Sequence, residues 1–169
     1  MLDRRRAIHV VLAALSPAWL LLAPPAHAQQ SFQRFFPLLV DLQGWKGNKP
    51  DGISMEMPGN SMITATREYE RGPARLNAQV IAGAAAQGML AATQTGLKIE
   101  TGDSRLSTSA VDGFQVTRTY TISSKSGAII VALGNNALFN VSFNGIDDTE
   151  ALAQARKFNW KAIQTALPK

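Results

Sequence analysis

The second half of the chain alternates short runs of apolar and polar residues with pairs of turn-forming residues. Asp112-Gly113 separates the run Ser104–Val111 from the run Phe114–Ser123, and an Asp-Gly pair in that position is a strong hairpin signal. Two more runs follow, at Ala128–Leu133 and Ala137–Phe143, each preceded by turn residues: Ser126-Gly127 and Gly134-Asn135-Asn136. The pattern predicts a meander of four antiparallel strands.

An earlier hairpin and one short strand precede this meander. Met62–Arg71 and Ala74–Ala82 flank Gly72-Pro73, which predicts two strands joined by a tight turn. Upstream, Ile53, Met55 and Met57 alternate with polar residues before Pro58-Gly59 and predict a third strand.

Two helices complete the predicted order. The first spans Ala84–Thr95, is rich in alanine, has no charged residue, and is followed by Gly96 as a C-terminal cap. The second begins at Asp147, with Glu150 three residues later as a capping box; it is predicted to bury Leu152, Ala155 and Phe158, and Asn159 starts a last turn. The predicted order is β-β-β-α-β-β-β-β-α, an α+β fold with an antiparallel sheet and helices packed on it.

The first 28 residues have the composition of an export signal. Arg4, Arg5 and Arg6 precede a nearly apolar stretch from Ala7 to Ala23, and Ala26-His27-Ala28 fits the small-x-small cleavage rule. We expect cleavage before Gln29 and a periplasmic protein that meets the membrane only through this transient leader. The alternative is an uncleaved anchor, which the prolines of the leader disfavour.

The remaining residues, 29–169, have the length of one domain. The leader removes three arginines and Asp3, which leaves 14 basic and 11 acidic residues without any run of like charge. This mild balance does not predict binding to nucleic acid.

Removal of the leader also removes both histidines, His9 and His27, and the chain contains no cysteine. Imidazole and thiol groups supply most general bases, nucleophiles and transition-metal ligands near neutral pH. The sequence therefore predicts a protein that binds or assists rather than catalyses, with no cofactor. A hydrolase that uses carboxylates alone stays open, with four glutamates as candidates: Glu56, Glu68, Glu70 and Glu100.

Several of these segments together resemble a group of small secreted bacterial domains of unknown function that are Mog1/PsbP-like in element order. The resemblance depends on Gly44-Trp45, the Arg67-Glu68-Tyr69 strand, the alanine-rich helix after a hairpin, the meander and Phe158-Asn159-Trp160. It implies an accessory or partner-binding module and brings no active-site residues with it. A cystatin-like sheet around one helix would give much of the same pattern.

Three methionines form the one cluster of soft ligands. Met55 and Met57 lie on the same side of a predicted strand, Met62 follows soon after, and thioethers bind Cu(I). Because methionine also fills irregular cores, we predict core packing rather than a metal site, and Asp147, Asp148 and Glu150 are better explained as a helix start than as a calcium site.

Aromatic and arginine side chains are the remaining candidates for binding. Trp45 lies in a segment of loop-like composition, where it either anchors a partner or folds back over the sheet edge. Arg67 shares a strand face with Tyr69, and Arg118 shares one with Tyr120. An arginine on an apolar face lies at the rim or is paired in a pocket, so two converging arginines would bind an anion.

The N-terminal apolar stretch adds one more possible docking segment, which is predicted instead to pack across the domain; its residues are Phe32, Phe35, Phe36, Leu38 and Leu39. The sequence as a whole predicts an envelope accessory protein whose partner is a protein or a cell-wall component. A copper or small-ligand carrier is the third alternative.

Overall fold

A computed structural model describes residues 31–58, 60–91 and 98–168. Within these residues the chain forms a nine-stranded antiparallel sheet with one 3-10 helix and three α-helices, which confirms the α+β class. The leader, the end of the first predicted helix and its Gly96 cap lie outside the described residues.

The elements follow the predicted order, with a 3-10 helix and two short strands added and the predicted last turn present as a third α-helix. They are the 3-10 helix Gln33–Leu38, β1 Lys46–Gly47, β2 Asp51–Met57, β3 Asn60–Arg71, β4 Ala74–Gly83, α1 Ala84–Ala91, β5 Ile99–Glu100, β6 Ser104–Val111, β7 Phe114–Thr121, β8 Ser126–Ala132, β9 Ala137–Asn144, α2 Asp148–Ala155 and α3 Trp160–Thr165.

The strands are ordered β1-β3-β4-β9-β8-β7-β6-β5, and β2 also pairs with β3. The predicted hairpin is β3–β4 and the predicted meander is β6 to β9, and both are confirmed. β9 joins them by pairing with β4 from Arg75↔Asn144 to Ala82↔Ala137. The two predicted substructures are therefore halves of one sheet.

The turns show where sequence signals were correct and where one was wrong. Asp112 and Gly113 both have positive φ, +51° and +82°, as a two-residue type I′ turn requires. Ser126 and Gly127, predicted as a turn, are instead the first two residues of β8. The turn lies just before them, with Lys125 at φ +46°.

Glycine is required at position 127 of β8 because two aromatic rings stack across this position. It lies between Tyr120 and Phe143 in register, and those two rings stack with centroids 6.2 Å apart. A Cβ at this position would lie 1.9 Å from the carbonyl oxygen of Thr119 and 2.9 Å from the Phe143 ring. Glycine thus lets two aromatic side chains meet across the middle strand.

One face of the sheet carries the main core. Directly paired residues share a face, so the row Ala65–Val80–Phe139–Val131–Val116 marks it, and all five are buried. α2 packs on this face against β7, β8 and β9, and the 3-10 helix packs against β2, β3 and α3. The prediction that the N-terminal apolar stretch packs across the domain is confirmed, since Phe32, Phe35 and Leu39 are buried in the core.

The helix starts agree with the sequence. The Asp147 side chain accepts from the Glu150 backbone N–H at 2.7 Å, and the Asn159 side chain accepts from the Ala162 N–H at 2.9 Å. Ala155 and Phe158 are buried as predicted, whereas Leu152 is half-buried at the edge of the core.

The opposite face is covered by α1 at one end. Ala86 and Leu90 of this helix form a second, smaller core with Leu138, against which Ile81, Ile130 and Ala132 pack. Met89 remains 37% exposed on the helix. The charge-free helix thus buries one side in the sheet and presents part of another to solvent.

Candidate functional site

Arg67 lies at the rim of the main core and holds the N-terminal segment against the sheet. Its guanidinium donates to the carbonyl oxygens of Leu39 at 2.7 Å and Asn48 at 2.8 Å, and it pairs with Asp41. The Arg67 side chain is 13% exposed, and its charge is 5.2 Å from the centroid of the Tyr69 ring. All of these contacts are internal to the chain.

Tyr69 and Trp45 complete this corner of the molecule. The Tyr69 hydroxyl donates to the Val40 carbonyl at 2.8 Å, and burial raises the pKa of this phenol above its ordinary value. Trp45 folds back over the sheet edge, is 8% exposed, and lies under the Arg71 guanidinium at 4.3 Å. The indole N–H of Trp45 is buried without a hydrogen-bond partner within the described part of the chain.

The second predicted pair lies on the far side of the same face. Arg118 is 3.8 Å from Asp148 at the start of α2, and Tyr120 stacks on Phe143. Three strands separate the two arginines in register, since the row is Arg67–Ala78–Val141–Ile129–Arg118. Four strand spacings give a separation of about 19 Å, so the arginines do not line one anion-binding surface.

Three surface hollows among the described residues are candidate ligand sites. One of about 580 Å³ lies between the Asp112-Gly113 turn and α3, where Asp112 is held by Arg156 at 2.9 Å and Lys161 is bonded to Gln164 at 2.9 Å. A shallow one of about 600 Å³ lies between Pro37 and α3. The third, about 340 Å³, lies on the strands β3, β4 and β9 and is lined by Glu68, Glu70, Arg75, Asn77 and Ser142 among others.

The methionines of the predicted cluster do not all pack in the core. Met55 is 43% exposed and Met62, its directly paired neighbour across β2 and β3, is half-buried, so the prediction of core packing is wrong for Met55. The side chain of Met57 lies outside the described residues. Among the residues that are described, no group of three or more histidine, cysteine or acidic side chains is placed to hold a metal ion.

β2 is the edge of the sheet at this corner. It pairs with β3 from Asp51↔Thr66 to Met57↔Asn60, and its other side has no strand among the residues that the structure describes. Ile53 and Met55 are exposed on the α1 side of this strand, at 50% and 43%. Sequence reasoning placed Met55 in the core, although Pro50 and Pro58 on either side of the strand are typical of an edge.

Sequence reasoning also missed Arg71 and Asn48. Arg71 stacks on Trp45 and pairs with Glu150 of α2, and Asn48 accepts from the Glu68 N–H at 3.0 Å. Both contacts join segments that are distant in sequence, so no local sequence pattern predicts them.

Comparisons with models of known protein families, with curated proteins and with solved structures find no match for this chain. No helix in the described ranges is long and apolar enough to cross a membrane.

Proposed function

We propose that this protein is an exported, non-catalytic accessory protein of the cell envelope that binds a partner protein through the free edge of β2. The observation that carries the proposal is this edge, a seven-residue strand paired on one side, with two exposed apolar side chains. An extended segment of the partner would add as a further strand, with backbone hydrogen bonds supplying affinity and side chains supplying specificity.

The backbone of β2 offers hydrogen bonds to such a segment. The Gly52 N–H donates to the Asp51 side chain at 2.7 Å instead of to β3, so Gly52 belongs to the residues that face away from β3. Backbone groups alternate in direction along a strand, so the N–H and C=O groups of Ser54 and Glu56 also face away from β3. Ser54 and Glu56 each present one N–H and one C=O along the open edge, and Gly52 presents its C=O, since its N–H is bonded to Asp51.

The edge lacks lysine, proline and a bulge within the strand, and its charged residues are Asp51 and Glu56. Edge strands that are protected from pairing are commonly very short, or carry lysine, proline or a bulge. β5 at the other end of the sheet has two residues, whereas β2 has seven and contains no lysine, arginine or proline. Ile53 and Met55 add apolar surface that an alternating partner strand would cover.

The chemistry available to the protein supports binding rather than catalysis. His9 and His27 both lie in the proposed leader, and cysteine is absent from the whole sequence. Carboxylates are engaged in structural contacts: Asp112 with Arg156, Asp148 with Arg118, Glu150 with Arg71, and Asp103 with Ser123.

The carboxylate-only hydrolase would have to use the hollow on β3, β4 and β9. Glu68 and Glu70 both line it, but they come from the same strand two residues apart, and Glu70 is 3.6 Å from Arg75. Glycoside cleavage needs carboxyl groups on opposite sides of the scissile bond, about 5–10 Å apart. Neighbours on one strand do not enclose a bond in this way.

The proposal is tested by photo-crosslinking in the native cell. A photoreactive amino acid replaces Ile53 in one strain and Ile122, an exposed residue at the β7–β8 turn, in the other. Position 53 is expected to crosslink to an extended segment of another envelope protein, and position 122 is not. Mass spectrometry of the same protein is expected to show Gln29 at the amino terminus.

Two variants of one residue separate the backbone edge from its side chain. Ser54→Pro removes an N–H that faces away from β3 and is expected to abolish the crosslink, whereas Ser54→Ala keeps it. Equal crosslinking from both positions, crosslinking only to a second copy of this chain, or survival of the crosslink in Ser54→Pro would contradict the proposal.

A further inference from the structure

Two thioethers are brought together at the β2 edge by the strand register. Met55 of β2 is directly opposite Met62 of β3, and residues opposed in this way share one face of the sheet. Their Cβ atoms are consequently about 5 Å apart, close enough for both sulfur atoms to reach one ion.

The pair is exposed on the side of Met55 and half-buried on the side of Met62. Met62 is opposed on its other side by Gly83, which has no side chain, and Met55 is 43% exposed at the sheet edge. A methionine that serves as core filler is buried, so packing does not account for Met55. Met55 is therefore accessible to an ion in solvent, and Met62 lies directly beside it.

The neighbouring side chains that the structure describes on this face contribute no charged ligand; the pair Met57↔Asn60, on the other side of Met55↔Met62, has side chains outside the described residues. The described neighbouring pair is Ile53↔Thr64, and neither residue is charged. Ile53 adds apolar surface, and the carboxylate of Glu56 belongs to the alternate set of the strand, which faces the other side of the sheet. Soft, neutral thioethers select Cu(I) over Zn²⁺ and Mg²⁺.

We propose that Met55 and Met62 form a binding site for a soft monovalent cation, with Cu(I) as its ligand in the cell envelope. Thioether sulfur carries no proton at any accessible pH, so binding releases none. The affinity of this site is therefore independent of pH between 5 and 8, unlike that of a site built from histidine, cysteine or carboxylate ligands.

The experiment titrates the purified protein with Ag(I), a redox-inert equivalent of Cu(I), and with Cu(I) in competition with a chromogenic chelator. The wild-type protein is expected to bind one ion with the same affinity at pH 5 and pH 8. The ε-methyl resonances of Met55 and Met62 are expected to shift, and the bound ion is expected to slow oxidation of Met55 by peroxide.

Isosteric variants provide the control for folding. The double variant Met55→Leu/Met62→Leu keeps the apolar volume and is expected to lose stoichiometric binding, while Ile53→Leu on the same strand retains it. No stoichiometric binding by the wild type, unchanged binding by the double variant, or affinity that falls steeply at pH 5 would overturn the proposal.

Different variants test the metal-site proposal and the docking-edge proposal. Ser54→Pro keeps both methionines and is expected to bind Ag(I) normally, whereas the double leucine variant keeps the strand edge and its apolar character. Loss of one property with retention of the other therefore identifies which of the two proposals is wrong.

Discussion

Replacing Arg67 by methionine is predicted to cost stability through two carbonyl bonds and not through an ion pair. The Arg67 side chain is 13% exposed and donates to Leu39 and Asn48. Hydrogen bonds from a charged group contribute about 1.5–3 kcal/mol each, and loss of the desolvation penalty of the cation offsets part of this. We expect Arg67→Met to lower the free energy of unfolding by about 3 kcal/mol.

Asp41→Asn is the matched comparison. The Asp41 side chain is 89% exposed, and exposed ion pairs contribute below about 1 kcal/mol, so its replacement is predicted to change little. Urea titration gives both free energies of unfolding. Hydrogen exchange is expected to show faster exchange of residues 39–48 in Arg67→Met only, because those residues lose their attachment to the sheet.

The reasoning about Arg67 is refuted if Asp41→Asn costs as much as Arg67→Met. It is also refuted if Arg67→Met leaves exchange at residues 39–48 unchanged, since the carbonyl bonds would then not hold the segment.

Two further predictions concern Gly127 and Tyr69. Gly127→Ala is expected to destabilise the protein by about 1–3 kcal/mol, because its Cβ would meet the Thr119 carbonyl oxygen at 1.9 Å, whereas Gly102→Ala, with no atom within 4 Å, is expected to be nearly neutral in the same urea titration. For Tyr69, the folded pKa is raised above the ordinary value of about 10, so the unfolded chain releases the proton first. The stability that Tyr69 contributes is thus complete below pH 10 and is lost as pH rises above it. Unfolding free energies measured from pH 8 to 11 should fall less steeply in Tyr69→Phe, and an unchanged slope would show that Tyr69 is not the group responsible.

Local sequence signals were sufficient for much of this fold. Asp112-Gly113 fixes a turn because both residues accept positive φ, and Asp147 and Asn159 cap helices with their own side chains. Such signals act within four residues, so they are visible in the sequence.

Signals that depend on distant residues were not visible. Ser126-Gly127 has the composition of a turn, but Phe143 and Tyr120 make Gly127 a strand residue. Pairing of β4 with β9 joins residues 75 and 144, and no pattern near either position announces it. The exposure of Met55 likewise follows from the edge position of β2, which depends on the order of strands in the sheet.

The position of β9 also determines when the sheet can form. A chain translated as far as residue 136 contains the strands on both sides of β9 but not β9 itself, which pairs with β4 on one side and with β8 on the other. Pairings between distant residues are slow to form, because the intervening loop must first close. The two half-sheets therefore become one sheet only when β9 is added, and a chain that stops before residue 137 keeps β4 and β8 as open edges.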